Sequence, residues 1–335
     1  MNIYDISEKA GVSIATVSRV LNNNPHVSEA TRRKVLRVMN QAGYVPNAFA
    51  RGLGLGSMHT IGLLCPDASD PYQSTALSCL EAAFRRRDYR CILTCTGDTA
   101  ADRTASLEAI REQKVDAVVL MGSSFGELDA KGNQIIRELT QSTLVAMLNA
   151  ENECEQVYSV CCDDCRATRE AVTHLIGQGR KRILYLYHSG NQSGQNKLAG
   201  YRQALETAGI SEDPDLIHLC GTDFDMDSVM DLLAALHHAG IVFDAVMTSE
   251  DRLAVAAAKF CLRNGLRIPQ DISIIGYNNL PVCRYCEPEL SSMDNHLPWL
   301  CEMVAETVVS ALQGKEVPHR QMRPASLFER ASSKC

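Results

Sequence analysis

Short, almost entirely apolar runs that recur along the chain constrain its fold more than any other feature of the sequence. The runs are Ile61–Cys65, Cys91–Cys95, Ala117–Met121, Leu144–Leu148, Val157–Cys161, Ile183–Tyr187, Ala245–Met247 and Ile272–Gly276. Strands without polar alternation are typical of parallel sheets that helices cover on both faces. The pattern therefore predicts an α/β body with doubly wound parallel sheets.

Segments of helical periodicity separate these strands. They include Thr75–Arg86, Arg166–Ile176, Lys197–Ala208, Val229–His237 and Arg252–Arg263. Because the alternation is too long for one sheet, we expect two subdomains with a cleft between them. The predicted body covers residues 58–335, with one subdomain at about 58–158 plus 291–320 and the other at about 159–290 plus 321–335.

Residues 1–45 predict a separate all-α head of three short helices. Gly11 ends the first helix, and Ser13 is placed as the N-cap of the second, where its hydroxyl can accept from the Thr16 N–H. Ser28 caps the third helix, and Gly43 stops it. The inward-facing side chains of the third helix are predicted to be Ala30, Val35, Val38, Met39 and Ala42.

Charge is distributed unevenly between head and body. The whole chain has a formal charge of −7, whereas residues 1–57 carry seven basic and three acidic side chains, a net charge of +4. A small basic head on an acidic body suits a protein that contacts nucleic acid at one end only.

A helix, a tight glycine turn and a second helix with short N-terminal side chains form a helix-turn-helix pattern that fits a DNA major groove. The matching motifs are Gly11-Val12-Ser13 with Thr16-Val17-Ser18-Arg19-Val20-Leu21-Asn22, Val27-Ser28 and Gly43-Tyr44-Val45-Pro46-Asn47-Ala48. On these motifs the chain resembles the lactose-repressor/galactose-repressor family of bacterial regulators. The resemblance continues through the body and covers essentially the whole chain.

The resemblance implies DNA-contacting roles by position. Ile14, Ala15 and Arg19 lie where the family reads bases. Phosphate or neighbouring backbone contacts are implied for Asn2, Tyr4, Ser13, Thr16, Ser18, Asn22 and His26. Asn47, Ala50 and Leu53 belong to the hinge, residues 46–57, with Leu53 in the place of a leucine that wedges into the central minor-groove step. Because Gly52, Gly54 and Gly56 disfavour a helix, we expect the hinge to fold only on DNA.

The body resembles periplasmic sugar-binding proteins, which implies an effector between the subdomains. By this resemblance Tyr72 and Phe224 stack on the ligand, and Lys197, Asp251 and Asn278 hydrogen-bond it. Three positions depart from the family pattern. Lys197 replaces the usual arginine, and Asn149 and Asn278 stand where acidic residues are common. A sugar remains the favoured effector, without a defined identity.

Fourteen cysteines include two pairs with CxxC spacing, Cys162/Cys165 and Cys283/Cys286. The pairs are far apart and lack zinc-knuckle turns, so structural thiols are favoured over a zinc site or a redox sensor. No metal or other cofactor is predicted.

The favoured function is a dimeric, cytoplasmic repressor that binds a pseudo-palindromic operator under the control of a small molecule. The cytoplasm is predicted because the N-terminus has no secretory pattern and no long apolar run is present. A transport protein is disfavoured by the same absence and by the head. An enzyme is disfavoured because HExxH, P-loop and GxSxG motifs and paired catalytic carboxylates are missing. A regulator whose cysteines sense metal or oxidant stays open.

Overall fold

A computed structural model describes residues 2–21, 24–44, 57–222 and 224–334. The helices are α1 Ile3–Ala10, α2 Ile14–Leu21, α3 Glu29–Gln41, α4 Pro71–Arg85, α5 Ala100–Arg111, α6 Ala130–Leu139, α7 Asp164–Gly177, α8 Gln192–Thr207, α9 Met226–His238, α10 Asp251–Arg263 and α11 Leu297–Leu312. The strands are β1 Thr60–Cys65, β2 Arg90–Cys95, β3 Ala117–Met121, β4 Leu144–Leu148, β5 Tyr158–Cys162, β6 Ile183–Tyr187, β7 Ile217–Leu219, β8 Ala245–Thr248, β9 Ser273–Tyr277, β10 Ser291–Asp294, β11 Arg320–Arg323 and β12 Ser326–Phe328.

The strands form two six-stranded sheets, one in each subdomain of the body. The first has the order β11-β5-β4-β3-β1-β2 and is parallel throughout. The second has the order β12-β10-β9-β8-β6-β7, in which only β12 runs antiparallel to its neighbour among the described strands. Every residue of β1 and β3 is buried, as expected for strands covered on both faces. The predicted two-subdomain fold is confirmed.

The chain crosses between the sheets three times. The strand pairing shows that each crossing lies closer to the C-terminus than the sequence predicted. Strand β5 belongs to the first sheet, so the first crossing follows Cys162 rather than residue 158. Strand β10 belongs to the second sheet, and β11 to the first, which corrects the expected changes at residues 291 and 321. An apolar run specifies a strand but not the neighbour with which it pairs.

The predicted strands agree with the observed ones to within one residue at either end, because their apolar runs are sharply bounded. The pattern of apolar runs did not predict β7, β10, β11 and β12, of which β7, β11 and β12 lie at sheet edges. Strand β11, Arg-Gln-Met-Arg, is largely exposed and has no apolar run to reveal it. Tertiary pairing alone defines such an edge strand.

The hinge prediction lies almost wholly outside the described residues, of which Ser57 is the first after residue 44. Along the described ranges, no helix is long and apolar enough to cross a membrane.

Gly200 permits the close contact between α7 and α8, and this gives a test of the fold. A Cβ at Gly200 would lie 2.1 Å from the Cys165 carbonyl oxygen and 3.0 Å from the Arg169 nitrogen, both backbone atoms. We expect Gly200→Ala to lower the free energy of unfolding by about 1–3 kcal/mol, because the two helices must separate.

Urea unfolding would measure this loss, with Gly177→Ala as the matched control. Gly177 is also helical, and a Cβ there meets no atom within 4 Å. The control should leave stability unchanged or slightly raise it through helix propensity. Equal effects of the two substitutions would contradict the close approach at Gly200.

Candidate nucleic-acid interface and effector cleft

The head is a three-helix unit built around its own small core. Ile6 and Ala10 of α1, Val17 and Val20 of α2, and Val35 of α3 are buried together. Met39 completes the core, whereas Ala30, predicted to face inward, is exposed. The side chains of α2 that remain exposed are therefore those not needed to hold the three helices together.

The turn between α1 and α2 has the geometry that the sequence predicts. Gly11 ends α1 with φ +59°, a backbone conformation that favours glycine. The Ser13 hydroxyl accepts from the Thr16 N–H at 3.1 Å and forms a second hydrogen bond with the Thr16 hydroxyl at 2.9 Å. These contacts fix the start of α2, where unpaired N–H groups favour phosphate.

Most of the predicted DNA-contacting residues in the described part of the head are exposed. Tyr4, Ser13, Ile14, Ala15, Arg19 and His26 are exposed, and Thr16 and Ser18 are partly buried. Asn2 is exposed, but its side chain caps α1 by accepting from the N–H groups of Tyr4 and Asp5. Asn22, Asn47, Ala50 and Leu53 lie outside the described residues.

The first-subdomain wall of the cleft carries Tyr72 and Asn149, and the structure brings these two predicted residues together. The Asn149 side-chain amide donates to the Tyr72 hydroxyl, and its oxygen accepts from the Cys162 N–H at 2.9 Å. Asn149 follows β4 and has φ +55°, which asparagine tolerates better than most residues. Burial raises the pKa of Tyr72 well above its usual value, so the phenol stays neutral.

On the second-subdomain wall of the cleft, the Lys197 ammonium lies over the ring of Tyr277. Lys197 lies on α8 and is only 6% exposed. Its ammonium donates to the Ser249 carbonyl at 3.1 Å and sits 3.9 Å from the centroid of the Tyr277 ring, a cation–π contact.

Asp164, which was not among the site residues predicted from the sequence, joins this wall through two hydroxyl donors. Tyr277 donates to one carboxylate oxygen at 2.6 Å, and Ser193 donates to the other at 2.5 Å. Burial and the Asp164 carboxylate raise the pKa of Tyr277 well above its usual value. The available signal was Asp163-Asp164 directly after an apolar strand, where parallel sheets present ligand-binding residues.

The mouth of the cleft holds an ion-pair bridge centred on Arg252, which was also missed. Arg252 donates to Glu250 at 2.8 Å and lies 3.5 Å from Asp70 of the other subdomain. Its guanidinium stacks on the predicted aromatic Phe224, 4.8 Å from the ring centroid. Asp70 also caps α4, the helix that carries Tyr72. The contact between Asp70 and Arg252 therefore links the helix of Tyr72 to the ring of Phe224.

Asp251 does not take the predicted ligand-contacting position. It is fully buried, and its oxygens accept from the Leu280 N–H at 2.7 Å and the Ser292 hydroxyl at 2.6 Å. It therefore anchors the loop after β9. Asn278, partly exposed in that loop, accepts from the Asn295 amide at 3.1 Å.

The cysteines do not assemble into a metal site in the part of the chain that the structure describes. No group of three or more His, Cys, Asp or Glu side chains there could hold a metal ion. Cys162 and Cys283 are buried, and burial raises the pKa of Cys162 to about 12.

Comparison with known proteins identifies the class. The family model for bacterial regulatory proteins of the lacI family matches residues 2–47, and that for the periplasmic binding protein-like domain matches residues 172–333. An HTH-type transcriptional regulator of Lachnoclostridium phytofermentans is 45% identical over 96% of this chain and 96% of its own length. The ribose operon repressor of Haemophilus influenzae is 29% identical over 95% of this chain and 94% of its own.

Solved structures agree with this assignment. The lac repressor dimer bound to operator and the anti-inducer ONPF has a TM-score of 0.88 at 23% identity, covering 100% of this chain and 99% of that one. The complex of the transcriptional regulator CelR with cellobiose has a TM-score of 0.73 at 26% identity, covering 99% and 100%. The chain belongs to the lacI family. It is a DNA-binding transcription regulator and not an enzyme.

The Asp251 carboxylate gives this site a pH-dependent stability. Burial raises the pKa of Asp251 to about 6, about two units above its usual value near 4. Because the folded protein holds this proton to higher pH than the unfolded chain, the contribution of Asp251 to the free energy of unfolding is full below pH ~4. It is lost as the pH rises through ~6.

Asp251→Asn removes this titration and keeps a similar shape. We expect its stability relative to the parent protein to rise by up to about 3 kcal/mol between pH ~4 and pH ~7. Urea unfolding of both proteins at the two pH values would measure this change. A difference that does not vary with pH would show that Asp251 does not titrate as inferred.

Proposed function

We propose that this regulator is a homodimeric repressor that binds a pseudo-palindromic operator and responds to a carbohydrate bound between its subdomains. The exposed face of α2, with Arg19 one turn beyond the capped N-terminus, is the observation that carries the proposal. Guanidinium groups at such positions read guanine through two hydrogen bonds. Asn22, Asn47, Ala50 and Leu53 belong to the same proposed contact set.

An exposed apolar edge supports the dimer. Strand β2 is an edge strand of the first sheet, and its residues Ile92 and Leu93 are 39% and 48% exposed. A sheet edge with exposed apolar side chains favours association with a second copy. The lac repressor, which shares this fold, is a dimer in its operator complex. Two heads related by twofold symmetry would read the two halves of a palindrome.

The composition of the cleft supports a carbohydrate. Tyr72 and Phe224 supply aromatic surface, and Asn149, Lys197 and Asn278 supply polar groups. Such a combination suits a polyhydroxylated ring. The CelR regulator was solved with cellobiose, and the ribose operon repressor is named for a sugar. Binding would then alter the relative position of the subdomains and, through it, the affinity for DNA.

Arg19 provides the test of DNA reading. We expect Arg19→Ala to weaken binding to a duplex selected by the protein from a random pool about 5- to 150-fold, because a bidentate base contact contributes ~1–3 kcal/mol. Binding to an unrelated duplex should fall much less. Fluorescence anisotropy at fixed salt measures both affinities.

Arg137→Ala is the charge-matched control, since Arg137 is an exposed arginine on α6 of the body. It should bind both duplexes as the parent protein does. If Arg19→Ala weakened the selected and unrelated duplexes equally, Arg19 would contact phosphate rather than a base.

Phe224 provides the test of the effector cleft. A sugar present at 100 times its dissociation constant should stabilise the protein by about 2.7 kcal/mol. We expect a melting-temperature screen to find such a sugar, and Phe224→Ala to lose the shift because it removes the aromatic surface. Phe328→Ala, on edge strand β12 and 44% exposed, should retain it.

A sugar found in this way should also change the affinity for the selected duplex, in either direction. A sugar that shifts the melting temperature but leaves DNA affinity unchanged would contradict effector control.

A further inference from the structure

Lys197 is a buried cation of the cleft, and the part of the chain that the structure describes places no counter-ion close to it. Within the described ranges, its one hydrogen bond goes to a neutral carbonyl, and its ammonium also lies over the face of a neutral aromatic ring. Among the residues that the structure describes, no carboxylate oxygen lies within 4.0 Å of its ammonium nitrogen. An ammonium has three donors, so hydrogen-bonding capacity remains for a ligand.

Asp70, Glu250 and Asp164, three carboxylates of the cleft, are held by other groups. Asp70 and Glu250 contact Arg252, and Asp164 accepts from Tyr277 and Ser193. Asn149 and Asn278 add no negative charge. Burying an ammonium without a paired anion is unfavourable, so a ligand that brings an anion to Lys197 gains a charge-assisted hydrogen bond.

A second hydrogen-bonding side chain, the His188 imidazole, lies near Lys197. The His188 imidazole and the Lys197 ammonium both contact Ser249, the first through the serine hydroxyl at 3.1 Å. Burial, followed by the charges of Lys197 and Arg252, lowers the pKa of His188 to about 4. The imidazole is therefore neutral near pH 7 and adds a hydrogen-bonding group to the ligand site.

The neighbouring cavity has the opposite character. Asp164, Glu151, Asn149, Gln192 and Ser193 contribute to its lining. These oxygen-rich groups accept hydrogen bonds from hydroxyls. Ser193 and Lys197 are four residues apart on α8 and therefore lie on the same helix face, about 5–6 Å apart at their Cβ atoms.

We propose that the effector is an acidic sugar derivative whose carboxylate or phosphate binds Lys197 while its hydroxyls face the cavity beside Ser193. The proposal rests on the carbohydrate-effector function above and defines its ligand class.

Matched neutral and acidic sugars test the class on the full-length protein. The pairs are D-glucose with D-glucuronate, D-galactose with D-galacturonate, D-glucose with D-gluconate, and D-glucose and D-ribose with their phosphates. We expect an acidic member to raise the melting temperature and change DNA affinity, and its neutral partner to do neither. The carboxylate and phosphate arms distinguish the two sources of the anion.

Three variants assign the effect to Lys197. Lys197→Met should abolish the shift, and Lys197→Arg should retain preference for the acid because it keeps the charge. Lys259→Met, an exposed lysine of α10, should behave as the parent protein. If Lys197→Met does not fold, the Arg variant still reports the charge preference.

Two results would overturn the proposal. A neutral sugar that shifts the melting temperature at least as much as its acidic partner would overturn the acidic class and leave the sugar-effector function intact. No shift from any member of the panel, in protein that still binds its selected duplex, would overturn both.

Discussion

The Tyr277 side chain holds together three elements that form one wall of the cleft. Its hydroxyl donates to Asp164, which begins α7 directly after the first crossing between the sheets. Its ring supports the Lys197 ammonium from α8. Tyr277 itself ends β9 and is fully buried. Tyr277 therefore links the start of α7, the Lys197 face of α8 and the end of β9, at the carboxyl ends of the strands where α/β sheets bind ligands.

The mouth of the cleft depends on a different kind of contact. In the Asp70–Arg252–Glu250 bridge, the partly exposed Asp70–Arg252 pair joins the two subdomains. Arg252 also pairs with the buried Glu250 and stacks on Phe224. Exposed ion pairs contribute little free energy and are screened by salt. The bridge can therefore break when the subdomains move, whereas the buried Tyr277 network holds its own wall together. A rigid wall beside a labile contact between the subdomains supports the proposed movement of the subdomains on effector binding.

Local rules account for the parts that the sequence predicted well. The Gly11 turn, the Ser13 cap and the Gly43 stop each depend on residues within four positions, and all three occur as predicted. The buried strands were found because their apolar runs have sharp ends. The site was only partly predicted. Tyr72, Asn149, Lys197 and Phe224 lie at the cleft, but Asp251 turned inward because Leu280 and Ser292 satisfy its oxygens. Asp164 and Arg252 were missed, because one partner of each, Tyr277 and Asp70 respectively, lies more than a hundred residues away along the chain.

The sequence by itself determined the family, the helix-turn-helix head, the basic charge of that head and the alternation that makes two doubly wound sheets. These properties follow from short-range patterns of capping residues, apolar period and charge. Only the tertiary structure decided which sheet takes β5, β10 and β11, which cleft carboxylates are already paired, and that no carboxylate of the described residues pairs with Lys197. Hydrogen bonds and ion pairs between distant segments set these features, and a residue's type does not specify its partner.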